Sequence, residues 1–355
     1  MDIFKLYRYI FNKARLFVLY WRRIFFVKNV FHASPITKLR ANFFGGFLAD
    51  QWVLYDLNSK KKKEYLSEFD WYRSRYINEP FDYMLNNKII ASEIFKQYIR
   101  VPEIYAVSCK KCLMDLNSNA LQENSLLEML KNNSPVFIKP YAKGKGNGVN
   151  KIDYVKGQFL IDDKCVDEES LCKEILSRED CYISEAITQH EYAQKLYNQT
   201  INTIRIITLR DPETKHFKIF FAVQRIGTKE TIPVDNASKG GLICKIDLDT
   251  GRLSAAKSLH TVQTYTYHPD SKVKFEDVKI PMWDDLKKEI LSLSNKFPYL
   301  HFIAWDVVKM EDGTNCIIEA NTSSGVNIIQ IWGGQRNGEL GDFYEKHKVI
   351  KRKKV

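Results

Sequence analysis

Two carboxylates and an amide near the C-terminal end stand where burial would be costly. Asp306 lies within FIAWDVV. Glu319 and Asn321 lie within IIEAN, and Asp312-Gly313 between them reads as a hairpin turn. Each acid is embedded in apolar, β-forming residues, so the two segments read as neighbouring strands. A carboxylate in such surroundings needs a partner. Two carboxylates converging with an amide oxygen suit Mg²⁺, which takes few protein ligands and completes its shell with phosphate oxygens. Pairing with lysines or backbone is the other use open to them.

A second cluster lies earlier. Gly144, Gly146 and Gly148 alternate with Lys145 and Asn147. Glycines let backbone N–H groups approach phosphate oxygens, and the lysine adds charge. The loop lacks the GK[ST] ending of a Walker A motif, and a strand rather than a helix follows it, which excludes the dinucleotide fingerprint. An ordinary hairpin turn would read the same way. Lys139 ends the apolar strand PVFIKPY, so its ammonium must either reach solvent or face a ligand.

These groups need strands and turns to hold them. PVFIKPY, QFLIDDKCV and CYISEAI read as strands, with a helix over Glu168 to Ser177 between the last two. TIRIITLRD, KIFFAVQRIG, LICKIDLDTG, FIAWDVVKM and NCIIEANTS form a second strand-rich half. Asp211 to His216 is a further hairpin turn there, and Trp283 to Phe297 an amphipathic helix. Residues before about 100 read mainly helical. The pattern is α+β: two lobes, the second a mostly antiparallel sheet with flanking helices.

The chain has 355 residues, 45% hydrophobic and 27% charged, a globular balance. Its formal net charge of +11 favours polyanions, and the basic residues crowd the two ends. No nucleic-acid motif accompanies them, so nucleic acid is not an expected partner. Seven scattered cysteines suit a reducing compartment, and the lone CxxC at Cys109 and Cys112 lacks the second pair of a structural zinc site. The N-terminus has neither a signal-peptide core nor a transmembrane span. It has a basic amphipathic pattern instead. Lys5, Arg8, Asn12 and Arg15 share one face, with Ile3, Leu6, Tyr7, Ile10, Ala14, Phe17 and Val18 opposite. Such a helix either lies on an anionic membrane surface through residues 1–31 or docks on its own protein.

IIEANTSSG resembles the metal-binding end of ATP-grasp ligases, where Glu-x-Asn follows an Asp one hairpin earlier. Other motifs fall into that family's order. Lys88 in NNK and Lys139 in FIKP resemble its two phosphate lysines. Gly144, Lys145, Gly146 and Gly148 resemble its phosphate lid. Glu185, Ala186 and Ile187 resemble the adenine hinge, and Glu191 the ribose acid. Arg205, Arg225, and Asn236 with Gly240-Gly241 resemble the pattern of the glutamate-ligase-like branch. Together QHEY, NTIRIITL, VDNASKGG, IDLDTG and IAWDV are similar to the sugar-transfer-associated ATP-grasp proteins, over roughly residues 80–330.

The resemblance implies two α+β lobes sandwiching ATP, behind a helical N-terminal extension. It divides the chain into an amphipathic helix over 1–34, a helical lead-in over 35–104, an N-lobe over 105–185, a C-lobe over 186–345 and a basic tail over 346–355. ATP and one or two Mg²⁺ would be the cofactors, with the metal on Asp306, Glu319 and Asn321. The implied activity is ADP-forming ligation of a carboxylate to an amine through an acyl phosphate, in capsule or cell-surface glycan biosynthesis. An amino acid or amine would be joined to a carboxylated sugar, with Arg205 or Arg225 stabilising the oxyanion. The implied place is the cytoplasm, with peripheral contact at the inner membrane face. One departure matters: where ligases of the D-alanine–D-alanine type carry an arginine two residues before the metal-binding Asp, this chain has Ala304. A glycan-hydroxyl kinase, or a non-catalytic ATP-binding partner of glycan machinery, therefore stays open beside the ligase.

Overall fold

Strand periodicity governs both lobes of the computed structural model, which describes residues 3–43, 45–58, 60–110, 112–141 and 148–351. The first sheet contains β1 (Ile104–Cys109), β2 (Cys112–Asp115), β3 (Val136–Pro140), β4 (Asn150–Val155), β5 (Gln158–Ile161), β6 (Lys164–Val166) and β7 (Cys181–Glu185). Its order is β2-β1-β7-β3-β4-β5-β6, antiparallel throughout. Alternation along β3 puts Val136 and Ile138 into the core and leaves Phe137 and Lys139 half-buried on the other face. Helices Glu123–Asn133 and Glu168–Leu176 cover the core face with Leu126, Leu130, Leu171 and Ile175.

The second sheet contains β8 (Ile204–Arg210), β9 (Phe217–Ile226), β10 (Leu242–Ile246), β11 (Leu253–Ser258), β12 (Thr264–Tyr265), β13 (Phe302–Lys309) and β14 (Asn315–Asn321), in the order β12-β11-β10-β9-β8-β13-β14. It is covered on both faces. Helix Trp283–Asn295 packs Trp283, Leu286, Ile290 and Leu293 on one side. Helices Val326–Gln330 and Glu339–Lys346 pack Val326, Ile329, Leu340, Phe343 and Tyr344 on the other. This double cover explains why β13 is buried along its whole length.

Several readings change. QFLIDDKCV is not one strand but the β5–β6 hairpin, turned by Asp162 and Asp163 at φ 47° and 66°. Aspartate tolerates that left-handed region better than most residues, because its short side chain can bond locally. The mainly helical reading before residue 100 is broken in places: a helix ends at Leu54, and a single 3₁₀ turn follows at Lys61–Glu64. The lead-in is not a separate body, since Leu85, Ala91 and Phe95 enter the core of the second sheet. The basic tail begins later than 346, because Val349 and Ile350 are buried in the second lobe. Cys109 and Cys112 are register partners where β1 and β2 meet, and all seven cysteines are free.

The N-terminal helix runs over Ile3–Tyr20 and widens into a π turn over Trp21–Phe25. It lies against helix Glu68–Ser74, where the Tyr20 ring meets Phe69 edge-on at 5.4 Å. Leu16, Leu19 and Tyr20 are half-buried. The more apolar face points the other way: Ile3, Tyr7, Ile10, Phe17 and Val18 are all exposed. Among the described residues no helix is long and apolar enough to cross a membrane.

Candidate active site

Register assembles the centre of the site. Asp306 on β13 pairs with Arg205 on β8 at one side and with Glu319 on β14 at the other. Three charged residues far apart in sequence thus form one row across adjacent strands. Arg205 Nη2 donates to Asp306 Oδ2 at 2.7 Å, and Arg205 Nε donates to Oδ1. Arg225 on β9 donates from Nη1 to the same Oδ2 at 3.1 Å and from Nη2 to Asp235 Oδ1 at 2.8 Å. Asp235 Oδ2 accepts the Thr203 N–H at 2.7 Å and the Thr203 hydroxyl. Burial alone would raise the Asp306 carboxyl. The two guanidiniums outweigh it and hold the group below the ordinary carboxylate range.

Glu319 stands apart from this network. It has no hydrogen-bond or ion-pair partner among the described residues, and neither does Asn321, two residues on along the same strand. Oδ2 of Asp306 already accepts two donors, while Oδ1 accepts one and keeps a lone pair. The remaining donors are all hard oxygens: the Glu319 carboxylate, the Asn321 amide oxygen and one lone pair of Asp306. They fit Mg²⁺. Among the described residues no group of three or more His, Cys, Asp and Glu side chains is placed to hold a metal, so a softer all-protein site is not built here.

The opposing wall comes from the first sheet. Lys139 and Tyr182 are register partners on β3 and β7, and both line the same cleft as Arg225, Asp235, Asp306 and Glu319. The cleft encloses about 850 Å³, counting the part open to solvent. Lys88 joins it from the start of helix Lys88–Phe95, whose Asn87 cap accepts the N–H groups of Ile89 and Ile90. Burial, reinforced by the Lys88 charge, pushes the Lys139 ammonium down to about 8. Burial pushes the Tyr182 phenol well above its ordinary value. Phe137, Val149, Ile187, Ile201 and Ile318 supply apolar surface to the cleft, with the Lys139 ammonium 5.0 Å from the Phe137 ring centre. Two lysines together with apolar walls suit a flat aromatic group joined to phosphates.

The expected residues come together unevenly. Lys88, Lys139, Glu185, Ile187, Arg225, Asp306 and Glu319 line the cleft, and Arg205 reaches it through Asp306. The Glu185 carboxylate is taken by Arg100, which donates Nη2 at 2.6 Å and 2.5 Å, and by the Glu103 N–H at 3.0 Å. A hinge contact from Glu185 is therefore left to its main chain. The Ala186 N–H donates to Pro135 O at 3.3 Å. Glu191 is not brought in: it is exposed in the first turn of Glu191–Leu196 and paired with Lys195 at 2.6 Å. Gly148 occupies the turn before β4 at φ 75°, whereas Gly144, Lys145 and Gly146 lie outside the described residues.

Sequence reasoning missed Asp235, Tyr182 and Thr203 as members of the site. Asp235 lies within VDNASKGG, beside Asn236. The closing glycines hold that loop in place, since a Cβ on Gly241 would stand 2.7 Å from Asp235 O. Tyr182 and Thr203 carried no signal beyond strand character.

The model of the sugar-transfer associated ATP-grasp family matches residues 69–338. No curated protein matches the chain. Solved structures match at low identity. An ATP-grasp ligase PsnB complexed with its minimal precursor is 13% identical, with a TM-score of 0.44 over 77% of this chain and 63% of that one. The VanG D-Ala:D-Ser ligase from Enterococcus faecalis is 13% identical, with a TM-score of 0.41 over 75% and 62%. The ADP complex of purK, an N5-carboxyaminoimidazole ribonucleotide synthetase, is 10% identical, with a TM-score of 0.41 over 68% and 46%. The chain thus spans between about half and two thirds of the length of these proteins. The family match covers most of the chain, including every strand of both sheets, and the chain belongs to the sugar-transfer associated ATP-grasp family.

Proposed function

We propose that the protein is an ATP-dependent, ADP-forming carboxylate–amine ligase acting in capsule or cell-surface glycan biosynthesis, at the cytoplasmic face of a membrane. The carrying observation is the Arg205–Asp306–Glu319 row facing Lys139 and Lys88 across one cleft. Lys88 and Lys139 would neutralise phosphate oxygens. Glu319, Asn321 and the free lone pair of Asp306 would hold Mg²⁺. Bound Mg-ATP would supply the activated phosphoryl group that turns a substrate carboxylate into an acyl phosphate. Arg225, held by Asp235 and Asp306, is fixed in the cleft wall, and Arg205 is fixed behind it by Asp306 and Ser324. That rigidity suits stabilisation of a developing oxyanion. With the Glu185 and Ala186 N–H groups taken by Glu103 O and Pro135 O, the carbonyls of these residues and the main chain of Ile187 would offer contacts to the base. The ribose role of Glu191 would need the start of its helix to approach the cleft.

One observation favours a kinase instead. Ala304 is fully buried, so no side chain there can supply the guanidinium found at that position in D-alanine–D-alanine-type ligases. Carboxylated sugars and amino acids should be supplied separately and together with Mg-ATP, and ADP and products followed by mass spectrometry. The ligase reading expects ADP release that needs both partners, and an amide product. ADP release with the sugar alone, giving a stable phosphorylated sugar, would establish the kinase.

A further inference from the structure

A second large concavity lies beside the first, between the N-terminal helix and the core of the protein. It is lined by Arg15, Arg22, Arg23 and Arg75, with Tyr72 and Tyr76 on its floor. It encloses about 1200 Å³, counting the part open to solvent. Asp82 is the one acidic residue in its lining, so the groove is strongly positive. The Arg15 guanidinium stacks 5.0 Å from the Tyr76 ring centre. Among the described residues none of the four arginines has a carboxylate within salt-bridge distance. Six other arginines, Arg73, Arg100, Arg178, Arg205, Arg225 and Arg336, are paired with carboxylates, while Arg40, Arg210 and Arg252 are not but stand outside the groove lining. Four guanidiniums lining one groove make a surface that attracts anions.

Two neighbouring features define what kind of anion. The groove lining also includes Asn86 and Thr322, which are close in sequence to Lys88 and Asn321. Elsewhere the lining passes through Phe11, Ala14 and Val18 onto the outward apolar face of the helix. On that face Phe17 is 65% and Val18 59% exposed, beside Ile3, Tyr7 and Ile10. A soluble protein seldom leaves such a face open to water, and aromatic side chains backed by arginines match the interface of an anionic bilayer.

We propose that this groove binds the phosphate-bearing headgroup of an anionic amphiphile, whose apolar portion lies with the outer face of helix Ile3–Tyr20 in the membrane. Arg15, Arg22, Arg23 and Arg75 hold the phosphate. Thr322 and Asn86 direct whatever the headgroup carries towards the nucleotide cleft. That last step, which makes the amphiphile a substrate, rests on the ligase reading; the binding itself does not.

Vesicle co-sedimentation of the full chain tests it without ATP. Vesicles of phosphatidylcholine are compared with vesicles containing phosphatidylglycerol, with inorganic pyrophosphate as a soluble competitor. The wild type should bind the anionic vesicles and leave the neutral ones. Arg22→Gln combined with Arg75→Gln should weaken binding roughly tenfold or more. Phe17→Ser combined with Ile10→Ser should abolish it. Both variants alter exposed side chains, and each should keep its Mg-ATP-dependent rise in melting temperature, which shows that it has folded. Equal binding to neutral vesicles, or no loss in the arginine variant, would overturn the proposal. So would pyrophosphate binding that persists in the Phe17/Ile10 variant while the wild type ignores vesicles, because the groove would then serve a soluble phosphate ester. Vesicle binding by a wild type that shows no nucleotide-dependent shift would retain the groove and remove the ligase.

Discussion

Asp306 and Glu319 are neighbours across a strand pair, yet they are held very differently. Asp306 stands between two guanidiniums, and Glu319 stands alone. Their substitutions should therefore separate structure from ligand binding. Asp306→Asn weakens the counter-charge to Arg205 and Arg225 and should cost about 3–5 kcal/mol of stability, the loss typical of breaking a buried ion pair. Chemical denaturation without nucleotide measures it. Glu319→Gln removes no protein contact and should leave that stability within about 0.5 kcal/mol of wild type. Lys139 gives a pH signature. Its folded value of about 8 lies below the ordinary 10.5, so the unfolded chain binds more protons in between, and stability rises with pH across that window. A bound phosphate would raise the value again. Nucleotide binding should then take up a proton near pH 8, and affinity should fall as pH rises above it. Calorimetry in buffers of different ionisation enthalpy detects the uptake, and Lys139→Met should abolish it. The acids were legible from sequence because each interrupts an apolar run. Asp235, Tyr182 and the Arg100–Glu185 pair were not, because their partners are set by strand order rather than by spacing.

Strands and turns were legible wherever a local rule decided them. Alternation along β3 set Lys139 on the face away from the core, and Asp312-Gly313 marked the β13–β14 turn, where Asp312 Oδ1 accepts the Thr314 N–H at 2.9 Å. The Asp162-Asp163 turn was hidden by the β-forming residues on both sides of it. The N-terminal helix shows a different limit. Its amphipathic pattern was plain, but periodicity cannot say which face meets the protein, and the face in contact turned out to be the less apolar one. The loop bearing Asp235 and Asn236 makes an element-scale prediction. Gly241 approaches the Asp235 main chain too closely for a side chain, so Gly241→Ala should cost about 1–3 kcal/mol. It should also displace Asp235 from Arg225. A lowered melting temperature together with weaker nucleotide binding would register both effects. An unchanged melting temperature would mean that the loop relaxes freely.

At the scale of the molecule, two antiparallel sheets face one cleft, and the helical lead-in is built into the second of them. The change from helices to strands after about residue 100 could be read from periodicity. The merging of the lead-in with the second core could not, since Leu85 and Phe95 look like residues of any amphipathic helix. The central claim is that this cleft binds Mg-nucleotide between Lys139 on one sheet and Glu319 on the other. Thermal unfolding with and without Mg-ATP, on wild type and on Glu319→Ala, tests it most directly. Binding to the folded state alone should add about 2.7 kcal/mol at a hundredfold excess over Kd. The wild-type midpoint should rise clearly, and the rise should be lost or much reduced in the variant. No rise in the wild type, or an equal rise in both proteins, would contradict it.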